Sequence, residues 1–210
     1  GSLGLGLLTS RFHLEGPIRK GTTTFILGGR TTYSNWILNL LPESSSYSGG
    51  KAGFSDLNAS VSHKINDNNS IHFYGYWSRD NFSFDNDTTF RYSNLNTSVK
   101  WRSNFNTRNS LEAVAGFDSY NSGFENNFNY LSGYSINSSI RQAYAKATFK
   151  STISDRQTLK YGFNATYYML NPGSMNPLND ESLIQAHSLA EENGLEPAVF
   201  FSDTWKVNDK

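Results

Sequence analysis

Cysteine is absent from this chain of 210 residues, and charge, proline and long apolar runs are scarce. Without cysteine the chain has no disulfide framework, no thiol nucleophile and no zinc–thiolate site. Lysine plus arginine and aspartate plus glutamate each number 18, so the formal net charge is zero. This balance favours neither a nucleic-acid partner nor an acidic, disordered chain. No apolar run approaches the roughly 20 residues that a membrane-spanning helix requires.

The residues that are present suit strands and turns better than helices. Charged residues make up 17% of the chain and aromatic residues 15%, and tyrosine, phenylalanine, asparagine, serine, threonine and glycine are abundant. Aromatic and β-branched side chains fit the pleated surface of a sheet, whereas asparagine and glycine favour turns. The composition therefore indicates an all-β protein.

Strict alternation of apolar and polar residues is the strongest structural signal. In SDLNASVSHKI, Leu57, Ala59 and Val61 share one face, opposite Asn58 and Ser60. The same alternation predicts nine strands, at residues 3–16, 22–36, 53–65, 70–83, 91–104, 110–119, 137–152, 158–170 and 197–207. Most exceed the roughly 5–6 residues common in soluble sheets and match the roughly 9–11 residues of a tilted strand that spans a bilayer.

Short and long connections alternate between these strands. Short polar turns are predicted at 19–21, 66–69, 106–109 and 154–157, with another beginning at 208–209. Longer irregular segments are predicted at 38–51, 84–91, 119–135 and 171–196. Short turns at one end and long loops at the other are typical of a transmembrane β-barrel.

One helix is predicted inside the last long connection, in the sequence NDESLIQAHSLAEENGLE. Asn179 or Asp180 would cap it, and Gly194 would end it. Leu183, His187 and Ala190 would share one face. The pattern therefore indicates a helix within a loop.

A transmembrane barrel explains both the alternation and the strand length. In lipid every backbone N–H and C=O must be paired internally, so only helices or closed barrels span a membrane. The apolar face would meet lipid, and aromatic residues near strand ends would form interfacial girdles, namely Tyr33, Trp36, Trp101 and Trp205. A soluble secreted β-sandwich or a lipocalin-like barrel has alternating strands too, and it remains the alternative.

The polar face of these strands is predicted to line a wet lumen. The lumen-facing candidates are Arg11, His13, Glu15, Arg30, Lys100 and Arg102. The stretch FILGG at 25–29 is apolar or small on both faces, so we expect its lumen side to pack against another segment.

Three segments resemble the barrel of TonB-dependent outer-membrane receptors, in the group with a carboxypeptidase-regulatory-like N-terminal domain. HLEGPIRKGTTTFILGGRTTY at 13–33 is similar to an early barrel hairpin of that family. FSDLNASVSHKINDNNSIHFYGYWSRDNF at 54–82 is similar to the next hairpin, and 181–210 resembles a later Leu/Glu-rich loop that leads into a strand and an Asn-Asp-Lys turn. These motifs are architectural, and none identifies a substrate.

The resemblance implies import across the outer membrane, driven through TonB. A barrel of about twenty-two strands would enclose an N-terminal plug, and long external loops would capture the ligand. Implied partners are outer-membrane lipid, TonB, the plug and a small-molecule, glycan or peptide ligand, such as an iron-siderophore, haem or cobalamin. No TonB box or plug sequence is recognisable, so we expect residues 1–210 to be part of a single barrel domain with an unpaired edge.

Catalytic and metal-binding motifs are not recognisable. No metal-ligand spacing relates the four histidines His13, His63, His72 and His187. No Gly-x-Ser-x-Gly elbow is present, and the acidic stretch DNFSFDND at 80–87 lacks the glycine and final glutamate of an EF-hand loop. We therefore expect no enzyme activity and no cofactor.

The aromatic and asparagine-rich segment SYNSGFENNFNYLSGYS at 119–135 is the candidate ligand loop. Aromatic side chains available for stacking on a sugar, porphyrin or peptide are Tyr120, Phe124, Phe128, Tyr130 and Tyr134. The alternative is that these rings pack on one another.

The sequence thus favours a barrel segment of an outer-membrane receptor that takes up a scarce nutrient. The first alternative is a passive porin or small structural outer-membrane barrel. The second is a soluble secreted β-sandwich that serves as a binding module.

Overall fold

A computed structural model describes residues 1–45, 48–83 and 87–207, and most of them belong to one antiparallel sheet. Its eleven described strands are β1 (Ser2–Leu5), β2 (Thr9–Arg19), β3 (Thr23–Thr32), β4 (Lys51–Lys64), β5 (Asn69–Ser83), β6 (Thr88–Asn104), β7 (Asn109–Asn126), β8 (Tyr134–Ser154), β9 (Gln157–Pro177), β10 (His187–Ser188) and β11 (Glu192–Trp205). A single four-residue helix in this part of the chain, α1, covers Asn35–Leu38. Strands β1 to β9 follow one another across the sheet, and β9 also pairs with β10 and β11.

The sheet is an incomplete β-barrel segment. Across the described strands β1 pairs only with β2, and β11 pairs only with β9, so the sheet does not close. Long antiparallel strands with short turns at one end confirm the fold class predicted from the alternation.

The prediction of one strand over 3–16 is wrong, because the chain reverses at 6–8 and forms β1 and β2. Two adjacent leucines, Leu7 and Leu8, interrupt the alternation at this point. The backbone N–H of Gly6 donates to the Thr9 carbonyl at 2.9 Å and closes the turn. The resulting hairpin places β1 at the edge of the sheet.

The predicted loop at 119–135 is mostly strand. Strand β7 continues to Asn126, β8 begins at Tyr134, and only 127–133 connects them. Likewise β9 continues to Pro177, and β6 begins already at Thr88. The strands continue because the backbone of each strand end pairs with the backbone of a neighbouring strand that extends equally far. The side chains of these strand ends no longer alternate between polar and apolar.

The predicted helix around 179–194 is wrong, because this segment is irregular up to residue 191 apart from the two-residue strand β10, and β11 begins at Glu192. The Leu183 N–H donates to the Leu131 carbonyl at 2.7 Å, and the Leu189 N–H donates to the Gly173 carbonyl at 3.0 Å. Pairing with neighbouring backbone therefore overrides a weak local helix propensity. Strand β11 then begins at Glu192 and includes Gly194.

The short turns lie at 20–22, 65–68, 105–108 and 155–156, close to their predicted positions. Two of them have the same design. The side-chain oxygen of Asn66 accepts the Asn68 N–H at 3.0 Å, and that of Asn106 accepts the Arg108 N–H at 2.9 Å. Asparagine favours such turns because its side chain can replace a backbone acceptor. The predicted turn at 208–209 lies outside the described residues, as do 46–47 and 84–86 within two of the predicted loops.

Pairing register separates the side chains of the sheet into an apolar and a polar face. One row of the apolar face consists of Val61, Phe73, Val99, Ala115, Ala145 and Ala165. The adjacent row on the polar face consists of Ser62, His72, Lys100, Val114, Lys146 and Asn164.

The described residues have no hydrophobic core. None of their hydrophobic side chains is buried, and large ones such as Phe73 and Phe163 are half exposed. The accessible surface is 14279 Å², whereas a compact monomer of 23.5 kDa exposes about 9,800 Å². The apolar face therefore has no cover from this part of the chain.

No helix in the described ranges has the length and apolarity to cross a membrane.

Candidate functional site

The polar face carries ion pairs between neighbouring strands. Arg30 on β3 donates its Nε–H to Asp56 on β4 at 2.5 Å, and its guanidinium lies 5.0 Å from the centre of the Phe54 ring. Register places Arg11 on β2 directly beside Arg30. The Asp56 side chain is only 9% exposed, so the pair holds an acidic group close to the sheet.

A second charged region lies near the short turns. Arg102 on β6 donates to Glu112 on β7 at 2.6 Å, across the turn at 105–108. Lys100 is paired in register with His72 and Val114. Farther from these turns, on β2, the Nε2 atom of His13 lies 3.3 Å from the Oε2 atom of Glu15. Register thus places all six lumen-facing candidates on the polar face.

Asp118 forms a hydrogen-bond network that the sequence analysis missed. Its carboxylate accepts hydrogen bonds from the side-chain amide of Asn96 and from that of Gln142, the latter at 2.7 Å. These three residues lie in one row of β6, β7 and β8. The network fixes a charged acceptor in the middle of the polar face.

The aromatic candidates do not form a single cluster. The Phe124 ring lies 5.2 Å from Phe90 and 5.9 Å from Tyr134, measured between ring centroids. Tyr120 stacks on Tyr92 with 6.5 Å between ring centroids, on the same face but closer to the short turns. The three candidates on strands therefore contact other rings, in two separate groups.

Phe128 and Tyr130 lie in the connection at 127–133 instead, 80% and 58% exposed. Asn179 donates to the Tyr130 carbonyl at 2.9 Å, and Ser182 donates to the Gly133 carbonyl at 3.1 Å. The segment after β9 therefore supports this loop, while its two aromatic rings stay open to solvent.

The missed residues Phe90, Tyr92, Asn96 and Asp118 could have been found from the turn at 105–108. Asn104 pairs with Ser110, so five residues separate the last pair of the hairpin, and without a register shift β6 and β7 pair symmetrically about residue 107. Position 96 then faces 118, and position 90 faces 124, as observed. The alternation assigned each residue to a face, but only the turn shows which residues are neighbours.

The histidines do not converge. On the apolar face the Nδ1 atom of His63 lies 2.8 Å from the Thr23 hydroxyl oxygen. On the polar face the Nδ1 atom of His72 lies 2.8 Å from the Ser62 hydroxyl oxygen. Within the described ranges no group of three His, Asp or Glu side chains is arranged to hold a metal ion. The polar face presents charged side chains, amides and aromatic rings. These groups suit the binding of a polar ligand or a polypeptide.

No protein-family model and no curated protein matches the sequence. Several solved structures resemble the fold, among them two receptors. One is the siderophore receptor PirA from Acinetobacter baumannii, with a TM-score of 0.62 and 12% identity over 96% of this chain and 34% of that chain. The other is the open form of the ferric-catecholate import receptor Fiu from E. coli K12, with a TM-score of 0.52 and 9% identity over 96% of this chain and 45% of that chain.

At these identities the likeness shows the fold alone. The chain has the fold of part of a β-barrel, and it spans less than half the length of either receptor.

Proposed function

We propose that this chain is a segment of the barrel wall of a TonB-dependent outer-membrane receptor, whose intact form imports a scarce nutrient. The observation that carries the proposal is an uncovered apolar face on a sheet whose other face holds ion pairs and amide networks. A β-sandwich would bury its apolar face against a second sheet, and the described residues form only one.

The height of the apolar face fits a bilayer. On β6 the outward residues between Ser93 and Ser103 are Leu95, Thr97, Val99 and Trp101. Ten residues at about 3.3 Å each, tilted by about 40°, give a band about 25 Å tall, as in outer-membrane barrels. Trp77 on β5 and Trp101 lie near opposite edges of this band, where aromatic girdles form.

The polar face is proposed to line the lumen and to contact a plug. The Arg30–Asp56 and Arg102–Glu112 pairs would be costly against lipid but suit a wet interior. Ile26 is an apolar exception on this face, 45% exposed and flanked by Glu15 and Ser60. We propose that the plug covers Ile26, as expected for the FILGG stretch.

The loop end of the polar face is proposed to receive the ligand, and no catalytic role is assigned to it. The ring group of Phe90, Phe124 and Tyr134 lies on strands that extend beyond the bilayer band. Candidate ligands are an iron-siderophore, haem, cobalamin, a glycan or a peptide. The names of the two structural neighbours make an iron-siderophore the first to test.

Uptake by cells that produce the full-length receptor tests this proposal. Ferric-siderophore accumulation should require both the receptor and TonB, and it should fall in Phe90→Ala/Phe124→Ala cells. The matched control, Phe105→Ala/Phe149→Ala, alters rings at the short-turn end and should accumulate the ligand normally. Solute entry that is independent of TonB would indicate a passive porin, and a monodisperse monomer without detergent would indicate the soluble module.

A further inference from the structure

Three arginines surround a groove on the apolar side of the sheet, at the edge of the apolar band nearest the loops. Arg79 on β5, Arg91 on β6 and Arg141 on β8 line this groove, which has a volume of about 530 Å³. We propose that the groove binds the headgroup of a phosphorylated glycolipid in the adjacent membrane leaflet. This inference rests on the proposed function, since it requires that the apolar face meets lipid.

The position of the groove matches the level of lipid headgroups. Arg79 is in register with Ser93, and the row continues through Asn121 and Ser139. The next outward row toward the short turns begins with Leu57, Trp77 and Leu95 and ends at Arg141, so the groove overlaps the edge of the apolar band. A lipid whose headgroup occupies the groove would therefore lay its acyl chains along the apolar band.

The charge of the groove favours an anion. Arg91 is paired with Glu125 at 2.7 Å, but Arg79 and Arg141 are exposed and have no carboxylate partner within the described ranges. Arginine presents a planar fork of N–H donors that matches phosphate oxygens. Two unpaired arginines on opposite sides of one groove thus suit a headgroup with phosphate at both ends.

The lining of the groove adds donors and acceptors for sugar hydroxyls. Asn121 donates to Ser93 at 3.3 Å, and Asn137 and Asn171 lie on the neighbouring strands. Gly123 keeps the groove open, since a Cβ there would lie 3.2 Å from the side-chain oxygen of Asn137. Amides around the arginines distinguish a sugar phosphate from a simple anionic phospholipid.

The test uses the full-length receptor in phosphatidylcholine nanodiscs doped with diphosphorylated lipid A, with the same lipid after dephosphorylation, or with phosphatidylglycerol. Native mass spectrometry of receptor released from the discs measures the lipid retained. We expect lipid A to be retained most, and Arg79→Gln/Arg141→Gln to reduce its retention by about tenfold or more, because charge-assisted hydrogen bonds are lost. The matched variant Arg19→Gln/Arg108→Gln removes two arginines at the other end of the strands and should retain lipid A fully.

Gly123→Leu gives a second test that leaves every charge in place. It fills the groove, so lipid A retention should fall while phosphatidylglycerol retention does not change. Equal retention of lipid A and phosphatidylglycerol, an unaffected arginine variant, or displacement of lipid A by inorganic phosphate would each overturn the inference. Failure of the receptor to enter nanodiscs would instead refute the proposed function, and disc incorporation is read separately by size-exclusion chromatography.

Discussion

A charge placed on the apolar face should destabilise the barrel only if that face meets lipid. Thr97 and Ser98 are adjacent residues of β6 with small hydroxyl side chains on opposite faces. Thr97 is paired with Gly75 and Phe117 on the apolar face, and Ser98 with Tyr74 and Gly116 on the polar face. Thr97→Arg and Ser98→Arg therefore introduce the same charge at the same depth into two different environments.

The expected cost follows from the depth of Thr97 in the apolar band. It lies four residues from Ser93, about 13 Å along the strand and about 10 Å below the band edge at a tilt of about 40°. Arginine costs about 2–4 kcal/mol at the midplane of a barrel exterior and about 0–1 kcal/mol near the interface. We expect Thr97→Arg to lower the free energy of unfolding by about 2–3 kcal/mol, or roughly 30–150-fold in the folded-to-unfolded ratio.

Urea titration of the full-length protein folded into phospholipid vesicles measures this change. Ser98→Arg should cost less than about 1 kcal/mol, because its guanidinium stays hydrated. Thr97→Met, which adds length without charge, should be neutral or stabilising. Equal costs for both arginine variants, or no cost for Thr97→Arg, would refute the assignment of this face to lipid.

Two further predictions concern packing within the sheet, and the same titration checks both. Arg30→Met should lower the free energy of unfolding by about 1–3 kcal/mol, because it leaves the largely buried Asp56 carboxylate without its ion pair. Adding Asp56→Asn should recover part of this loss. A double variant as unstable as Arg30→Met would contradict the argument. Gly162→Ala should cost about 1–3 kcal/mol, because its Cβ would overlap the Ala147 carbonyl. Gly75→Ala should have a much smaller effect, since no described atom lies within 4 Å of its Cβ, and equal effects would refute the packing argument.

The faces of the sheet were predictable because alternation depends only on the strand period. Leu95, Val99 and Trp101 had to share a face whichever strands flank them. Strand ends were less predictable, because beyond the apolar band the polar side chains carry no alternation while the backbone ladder continues to Asn126 and Pro177.

Contacts between strands were predictable only across short turns. Arg102 and Glu112 lie at equal distances from residue 107, so the turn at 105–108 determines their pairing. The Arg30–Asp56 pair joins strands separated by the connection at 33–50, and no local signal sets that register. The helix expected around Leu183 failed for a similar reason, since its backbone partner lies on a distant loop.

The central claim is that the apolar face of this sheet meets lipid and the polar face meets water. Spin labels placed singly at each position from 94 to 103 of the full-length protein in vesicles test it most directly. Collision with oxygen should peak at 95, 97, 99 and 101, and collision with a water-soluble nickel chelate should peak at the intervening positions. Nickel access on both faces, or the opposite phase, would contradict the account.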